Sequence, residues 1–390
     1  MSIEGEIKIE VEGRHGQVKS VSITSSRPLH ITQLFKSKSI FSVSDLLNTL
    51  YQLCNTAHQF SFLRLLDDSG IVKLSQNEKL AYQLLLDIET IREHCFSIAS
   101  KWNPESDKSV DTNIINLLTT LKEIGTFLFP DSDPLSLRDK NLQDYKSIDK
   151  LITKLESQLG LFLIGNNSNV FDQFSDLDHF NRWLKNSDSR STTFLNFLKD
   201  HKFDQLGNIE ALHMPKVDLQ DFSTLMQDSN FIKQPMYQGQ VFETTPLSRQ
   251  SKSPLIKQLS EIYGNGLFVR SVAQLVEVFE LLKGIKCNYI KLKAEEISYH
   301  FQYSEGESNA IVQLDAARGN LVHQMCVDKD KIDSYQILAP TEWNFHPRGV
   351  LYKMIKTLTY QDNGDLFNQI KLLVNAVDPC VGYSIKIKNA

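Results

Sequence analysis

The sequence has little of what usually identifies a function. Its five cysteines, Cys54, Cys95, Cys287, Cys326 and Cys380, are scattered over 390 residues without one C-x-x-C pair. An odd, dispersed set argues against a disulfide framework and excludes the usual four-cysteine zinc and iron–sulfur spacings. No phosphate-binding loop, dinucleotide-binding glycine fingerprint, H-E-x-x-H motif or G-x-S-x-G elbow occurs. No charge of one sign dominates: 42 Lys and Arg face 47 Asp and Glu, a formal net charge of −5. There is thus no bulk electrostatic reason to expect a nucleic-acid or acidic-membrane partner. The longest apolar run, Leu159 to Ile164, is far too short to span a bilayer. Glu4, Glu6 and Glu10 make the first residues the opposite of a basic leader. The expectation is a cytoplasmic protein with no nucleic-acid and no membrane partner.

What is present is a hydrophobic fraction of 41%, ample for a large core, and two kinds of periodicity. Over residues 1–25, Ile7, Ile9 and Val11 alternate with charged residues and Val21 and Ile23 resume the period of two, predicting a β-hairpin turned at 13–16. Over 44–285 the pattern is mainly helical. Leu46, Leu47, Leu50 and Leu53 predict a helix starting at Ser44-Asp45, and further helices are expected over 77–102, 113–127, 145–159 and 254–284. Polar runs at 102–112 and 165–176 read as loops, and 205–252, with Pro215, Pro235 and Pro246, as irregular. Strands at 297–303, 310–314, 321–327 and 335–338 predict a β-meander over 297–338. Two short helices near 349–359 and 365–376 then lead to a tail, 377–390. No linker separates two units, so residues 1–390 are expected to form one α+β domain, predominantly α-helical, with strands or loops from both termini.

Candidate chemistry is sparse. Cys54 and His58 sit at i, i+4 and would share a helix face, but a buried thiol beside a backbone-bonded histidine explains the spacing equally. Cys380 follows Asp378-Pro379, a stiff loop that could present a thiolate. Arg318, in Ala-Ala-Arg-Gly, reads generically as a surface residue. Pro340-Thr-Glu-Trp-Asn344 reads as a packed loop. His300, His323 and His346 match no standard ligand spacing and read as core or surface residues, and Cys95, Cys287 and Cys326 as packing residues.

In order along the chain, these segments resemble the large subunits of nickel–iron hydrogenases. The resemblance is carried by EGEIKIEVEG (4–13), LYQLCNTAHQF (50–60), YQGQVFETTPLSRQ (237–250), DAARGNLVH (315–323), DSYQILAPTEWNFHPRG (333–349) and NAVDPCVGYSIK (375–386). The fold it implies is large-subunit-like, with small β elements from the N-terminal hairpin and the C-terminal meander. The departures are informative. Catalytic members carry two C-x-x-C pairs. Here Tyr51 stands at the first cysteine of one pair, and Tyr383 replaces the partner of Cys380. Thr49, Lys386 and Thr32 stand where the family has an arginine, a histidine and a proton-relaying glutamate, and Ala317 replaces a proline. A C-terminal extension of the kind removed from those enzymes after nickel insertion is not expected.

Two thiols do not hold a stable nickel–iron centre, so a catalyst is not expected. The pattern resembles the HupK/HoxV group of large-subunit-like hydrogenase assembly proteins. That resemblance implies a scaffold that transiently holds the Fe(CN)2(CO) fragment on Cys54 and Cys380. Its implied partners are the maturation chaperones that deliver the fragment and the apo large subunit that receives it. Two thiolates and two cyanides on Fe(II) make a dianion, whose burial needs a cation and hydrogen-bond donors. The resemblance assigns one cyanide to Arg318 and the other to Pro340-Thr341, and places His58 near a thiolate. The alternative is a cofactor-free structural or complex-forming subunit on the same fold, as in respiratory complex I, for which Cys54, Cys380 and Arg318 would have no use. Phenolate ligation by Tyr51 or Tyr383 is disfavoured by the phenol pKa of about 10.

Overall fold

The computed structural model describes residues 5–102, 112–129, 137, 140–141, 145–165, 174–293, 298–299 and 308–389. The alternating N-terminal run forms β1 (Glu6–Arg14) and β2 (Gln17–Ser25), paired antiparallel with Ile9 opposite Ile23. Positive φ at both His15 and Gly16 makes the tight connection that matches strand twist. A short 3-10 turn at Leu29–Phe35 leads to α1 (Ile40–Leu50) and α2 (Asn55–Asp68). There follow α3 (Gln76–Lys101), α4 (Thr112–Leu128), β3 (Lys140–Asn141), α5 (Tyr145–Leu159), α6 (Leu177–Asn186) and α7 (Arg190–Asp200). The proline-punctuated stretch holds only the short α8 (Leu219–Leu225), α9 (Ser229–Lys233) and α10 (Pro246–Arg249). Next come α11 (Pro254–Tyr263), α12 (Leu267–Lys293) and β4 (Ser298–Tyr299). The meander is β5 (Ser308–Ala316), β6 (Gly319–Asp328) and β7 (Lys331–Leu338). Then α13 (Pro340–Asn344), α14 (Val350–Lys356), α15 (Asn363–Val377) and β8 (Gly382–Asn389) close the chain.

Three expectations are corrected. The first helix begins at Ile40, not Ser44, because the Ser39 hydroxyl accepts from the Ser42 N–H and caps it. It ends at Leu50, leaving Leu53 outside it and 44% exposed. The single helix expected over 254–284 is two, broken at Gly264, whose φ of +68° and close approach to Asn208 leave no room for a side chain. The tail is a strand: β8 lies parallel on β1, with Ile385 opposite Ile9, so the three-stranded sheet runs β2-β1-β8 and joins the two ends of the chain. The expected loop at 103–111, the excursion at 166–173, most of the strand at 297–303, the turn at 304–307 and His300 lie outside the described residues.

The centre is the pair α3 and α12, both buried over most of their length, as expected of helices enclosed on several sides. Their cores are not purely apolar. Asp87, Glu89, Glu93, His94 and Glu277 are all buried, and each needs a partner to remain there. Among the described residues no helix is long and apolar enough to cross a membrane.

Candidate functional site

Cys54 sits at the N-cap of α2, where the first backbone N–H groups need acceptors. The carboxylate of Glu89, from α3, supplies them, accepting from Thr56 N at 2.8 Å and Ala57 N at 3.1 Å. The Cys54 side chain makes no cap bond and is left for a cavity. Cys380 reaches the same cavity from the loop between α15 and β8. That loop starts at Asp378, a non-glycine residue at φ +56°, held there by ion pairs to Lys101 and to Arg318, the latter at 3.8 Å.

Arg318 arrives from the two-residue turn between β5 and β6. The Ala317 carbonyl accepts from Arg249 Nη2 at 3.0 Å and the Arg318 carbonyl from Asn344 Nδ2 at 3.0 Å. Gly319, at φ +135°, lies so close to Thr244 that a Cβ would sit 2.3 Å from its hydroxyl. The turn is thus pinned on three sides, and the Arg318 side chain, 8% exposed, enters the cavity rather than the solvent expected from composition. Its Nη2 donates to Glu93 at 3.0 Å and its Nη1 lies 3.5 Å from the Cys54 sulfur. Its Nε is buried with no hydrogen-bond partner. Burial opposes the guanidinium charge, but Asp378, Cys54 and Glu93 more than offset this and hold it protonated. Burial likewise pushes the Cys54 thiol well above its ordinary range, against the pull of Arg318.

The cavity, about 50 Å³, has mainly apolar walls, among them Ile31, Leu50, Ala316, Leu321, Pro340 and Val381. A water-sized ligand needs about 10–15 Å³ of such space, so it has room for several small ligands. His58 lines it and stacks on Tyr51, ring centroids 3.8 Å apart. Its Nδ1 pairs with His323 Nε2 at 3.0 Å, and His323 Nδ1 with the Tyr335 hydroxyl at 2.7 Å. Burial holds both histidines neutral, His323 down to about 3. His323 and His346 are core residues, as is Cys95, whereas Cys287 is exposed rather than a packing residue.

Cys54, Cys380, Arg318, Pro340 and His58 therefore come together. Thr341 does not line this cavity. Its hydroxyl lies 2.8 Å from the Cys380 sulfur, and it borders a neighbouring groove. Sequence reasoning missed Arg27, Glu89, Glu93, Arg249 and Asn344. Of these only Arg249 and Asn344 lie in segments with a family signal. The donors present suit a metal fragment that brings ligands of its own: two sulfurs, an arginine with a buried N–H that makes no hydrogen bond, and apolar walls. Among the described residues no three His, Cys, Asp or Glu side chains form a metal cage.

The family described as Nickel-dependent hydrogenase matches residues 267–383, the stretch bearing Arg318, Pro340 and Cys380. Hydrogenase expression/formation protein HupK of Bradyrhizobium diazoefficiens is 30% identical over 153 residues, 39% of this chain and 40% of that protein. The formation protein HoxV of Cupriavidus necator is 30% identical over 169 residues, 42% of each. Over this stretch the chain is similar to HupK and HoxV. The matched stretch spans about two fifths of the length of these two relatives. HupV of Azotobacter chroococcum, another protein with that description, is 39% identical over 87 residues, 22% of this chain and 24% of its own. In three dimensions the nickel–iron–selenium hydrogenase of Desulfovibrio vulgaris Hildenborough matches with a TM-score of 0.68 at 14% identity, covering 94% of both chains. The enzyme of Dm. baculatum gives 0.65 at 14%, with the same coverage. The fold is that of a hydrogenase large subunit, and at such identity the likeness carries the fold alone.

Proposed function

We propose that this chain acts in hydrogenase maturation, as a scaffold that holds an Fe(CN)2(CO) fragment between Cys54 and Cys380 and passes it to an apo large subunit. Delivery by maturation chaperones and the absence of a hydrogenase activity of its own belong to the same reading. The observation that carries it is the convergence of two thiols on Arg318, whose buried Nε makes no hydrogen bond and lies 3.8 Å from the Asp378 carboxylate. A buried N–H left unpaired costs about 1–3 kcal/mol, which a bound acceptor recovers. The printed roles of the relatives, hydrogenase expression and formation, point the same way.

The charges around the cavity explain why the cargo would be released. Arg318 is already matched by Glu93 and Asp378, and the Cys54 thiol is held protonated. Loading a dianion on two thiolates exceeds the positive charge left over, so the hold is limited. The test is infrared spectroscopy on protein purified without oxygen from cells expressing the maturation machinery. Cyanide and carbonyl stretches are expected from the wild type and lost in Cys54→Ala and Cys380→Ala. Folded wild-type protein with no such bands and no iron would sink the proposal.

A further inference from the structure

Thr341, to which the resemblance gives a cyanide, is occupied by Cys380 and stands outside the cavity lining, so a second donor has to come from elsewhere. Arg27 lines the cavity and is in no segment that carries the resemblance. It follows the end of β2, its side chain 11% exposed. Its hydrogen bonds to Glu342, at 3.1 and 2.9 Å, both come from one nitrogen, Nη1. A structural arginine–carboxylate pair more often uses two nitrogens side by side. The Tyr51 hydroxyl, buried without a well-formed hydrogen bond, is a further electrostatic neighbour of this guanidinium. Arg27 also interacts electrostatically with Cys380, as Arg318 does with Cys54. Arg318 interacts with Cys380 as well, and both arginines line the cavity that holds the two thiols.

We infer that Arg27 is the second anion-recognising residue of the cavity, so that with Arg318 it selects a compact ligand with two anionic acceptor ends and an otherwise apolar body. Glu342 holds Arg27 in place by one nitrogen and leaves the rest of the planar fork for the ligand. Lysine would keep the charge and lose the fork. The identification of the two ends as cyanides rests on the scaffold reading above; the anion site itself does not.

Two measurements test it. In protein loaded as above, Arg27→Lys is expected to shift one cyanide band and leave the other, which Arg318→Lys shifts instead. The double variant R27M/E342Q removes both charges together, so that Glu342 is not stranded. It is expected to retain iron about 10- to 100-fold more weakly, the usual effect of losing an outer partner of a metal site. Unmoved bands and equal iron retention would overturn the inference. The second measurement needs no iron: calorimetric titration of unloaded protein with thiocyanate, a linear anion. R27M/E342Q is expected to bind about tenfold more weakly than wild type, the size of one charge-assisted hydrogen bond. Equal binding, or none by the wild type, overturns it. Thiocyanate binding that depends on Arg27 in a protein without cyanide bands would retain the anion site and reject the iron cargo. Circular dichroism of each variant establishes that it folds.

Discussion

Asp378 is the residue whose local cost is clearest. A side chain at φ +56° is strained unless it is glycine, asparagine or aspartate, whose short polar groups tolerate that region. Asp378 also ends α15 and meets two cations, Lys101 and Arg318. These bonds aim the loop that carries Cys380. Asp378→Asn keeps the backbone preference and loses the charge, whereas Asp378→Ala loses both. The alanine variant is expected to be less stable than the asparagine variant by about 1–2 kcal/mol, read from urea midpoints at constant slope. Equal midpoints would mean that the ion pairs alone hold the loop.

At the scale of elements, α3 and α12 pack closely where Gly284 of α12 faces Asp87 of α3; a Cβ on that glycine would lie 3.6 Å from the carboxylate. Burial raises the Asp87 carboxyl to about 7, against a hydrogen bond from Gln83, with Glu277 adding to the rise. A carboxyl raised on folding favours the folded state only while protonated. Its penalty is absent below the unfolded value near 4, grows as pH rises, and is complete above 7. Asp87→Asn is therefore expected to match wild-type stability near pH 4 and exceed it by up to about 4 kcal/mol at pH 8. Urea unfolding at the two pH values checks this, and an equal difference at both would refute the buried-carboxyl account.

Such elements also show what the sequence could tell. Apolar spacing located α3 within a residue at each end, and the structure adds that Ser75 and Glu78 cap its start. It did not reveal that Asp87, Glu89 and Glu93 face inward. The partners of Glu89 and Glu93, namely Thr56, Ala57 and Arg318, lie 32 to 225 residues away, beyond any local period. The site divides in the same way. Cys54, His58, Arg318 and Cys380 were legible only through the family resemblance, since spacing alone favoured core or surface roles. Arg27 had no signal at all, and its place depends on how β2 and α13 come together around Glu342.

Across the whole molecule, the two thiols are brought to one cavity by segments from opposite ends of the chain. Cys54 stands just after α1, whereas Cys380 is anchored on one side by α15 and on the other by β8, which pairs with β1 in its sheet. The parallel register from Glu6–Gly382 to Gly13–Asn389 covers one edge of β1, whose Ile7, Ile9 and Val11 are buried. If residues 1–390 form one cooperative unit, as we propose, ending the chain at Val381 should be felt far from the cut. The shortened protein is expected to lose hydrogen-exchange protection along β1 and to unfold at lower urea concentration, with secondary and tertiary signals still changing together. On the scaffold proposal it is also expected to lose bound iron although both cysteines remain, since Cys380 is then held from one side only. Unchanged protection of β1 and full iron retention would show that α15 alone positions Cys380, and that the joining of the termini serves stability and not the site.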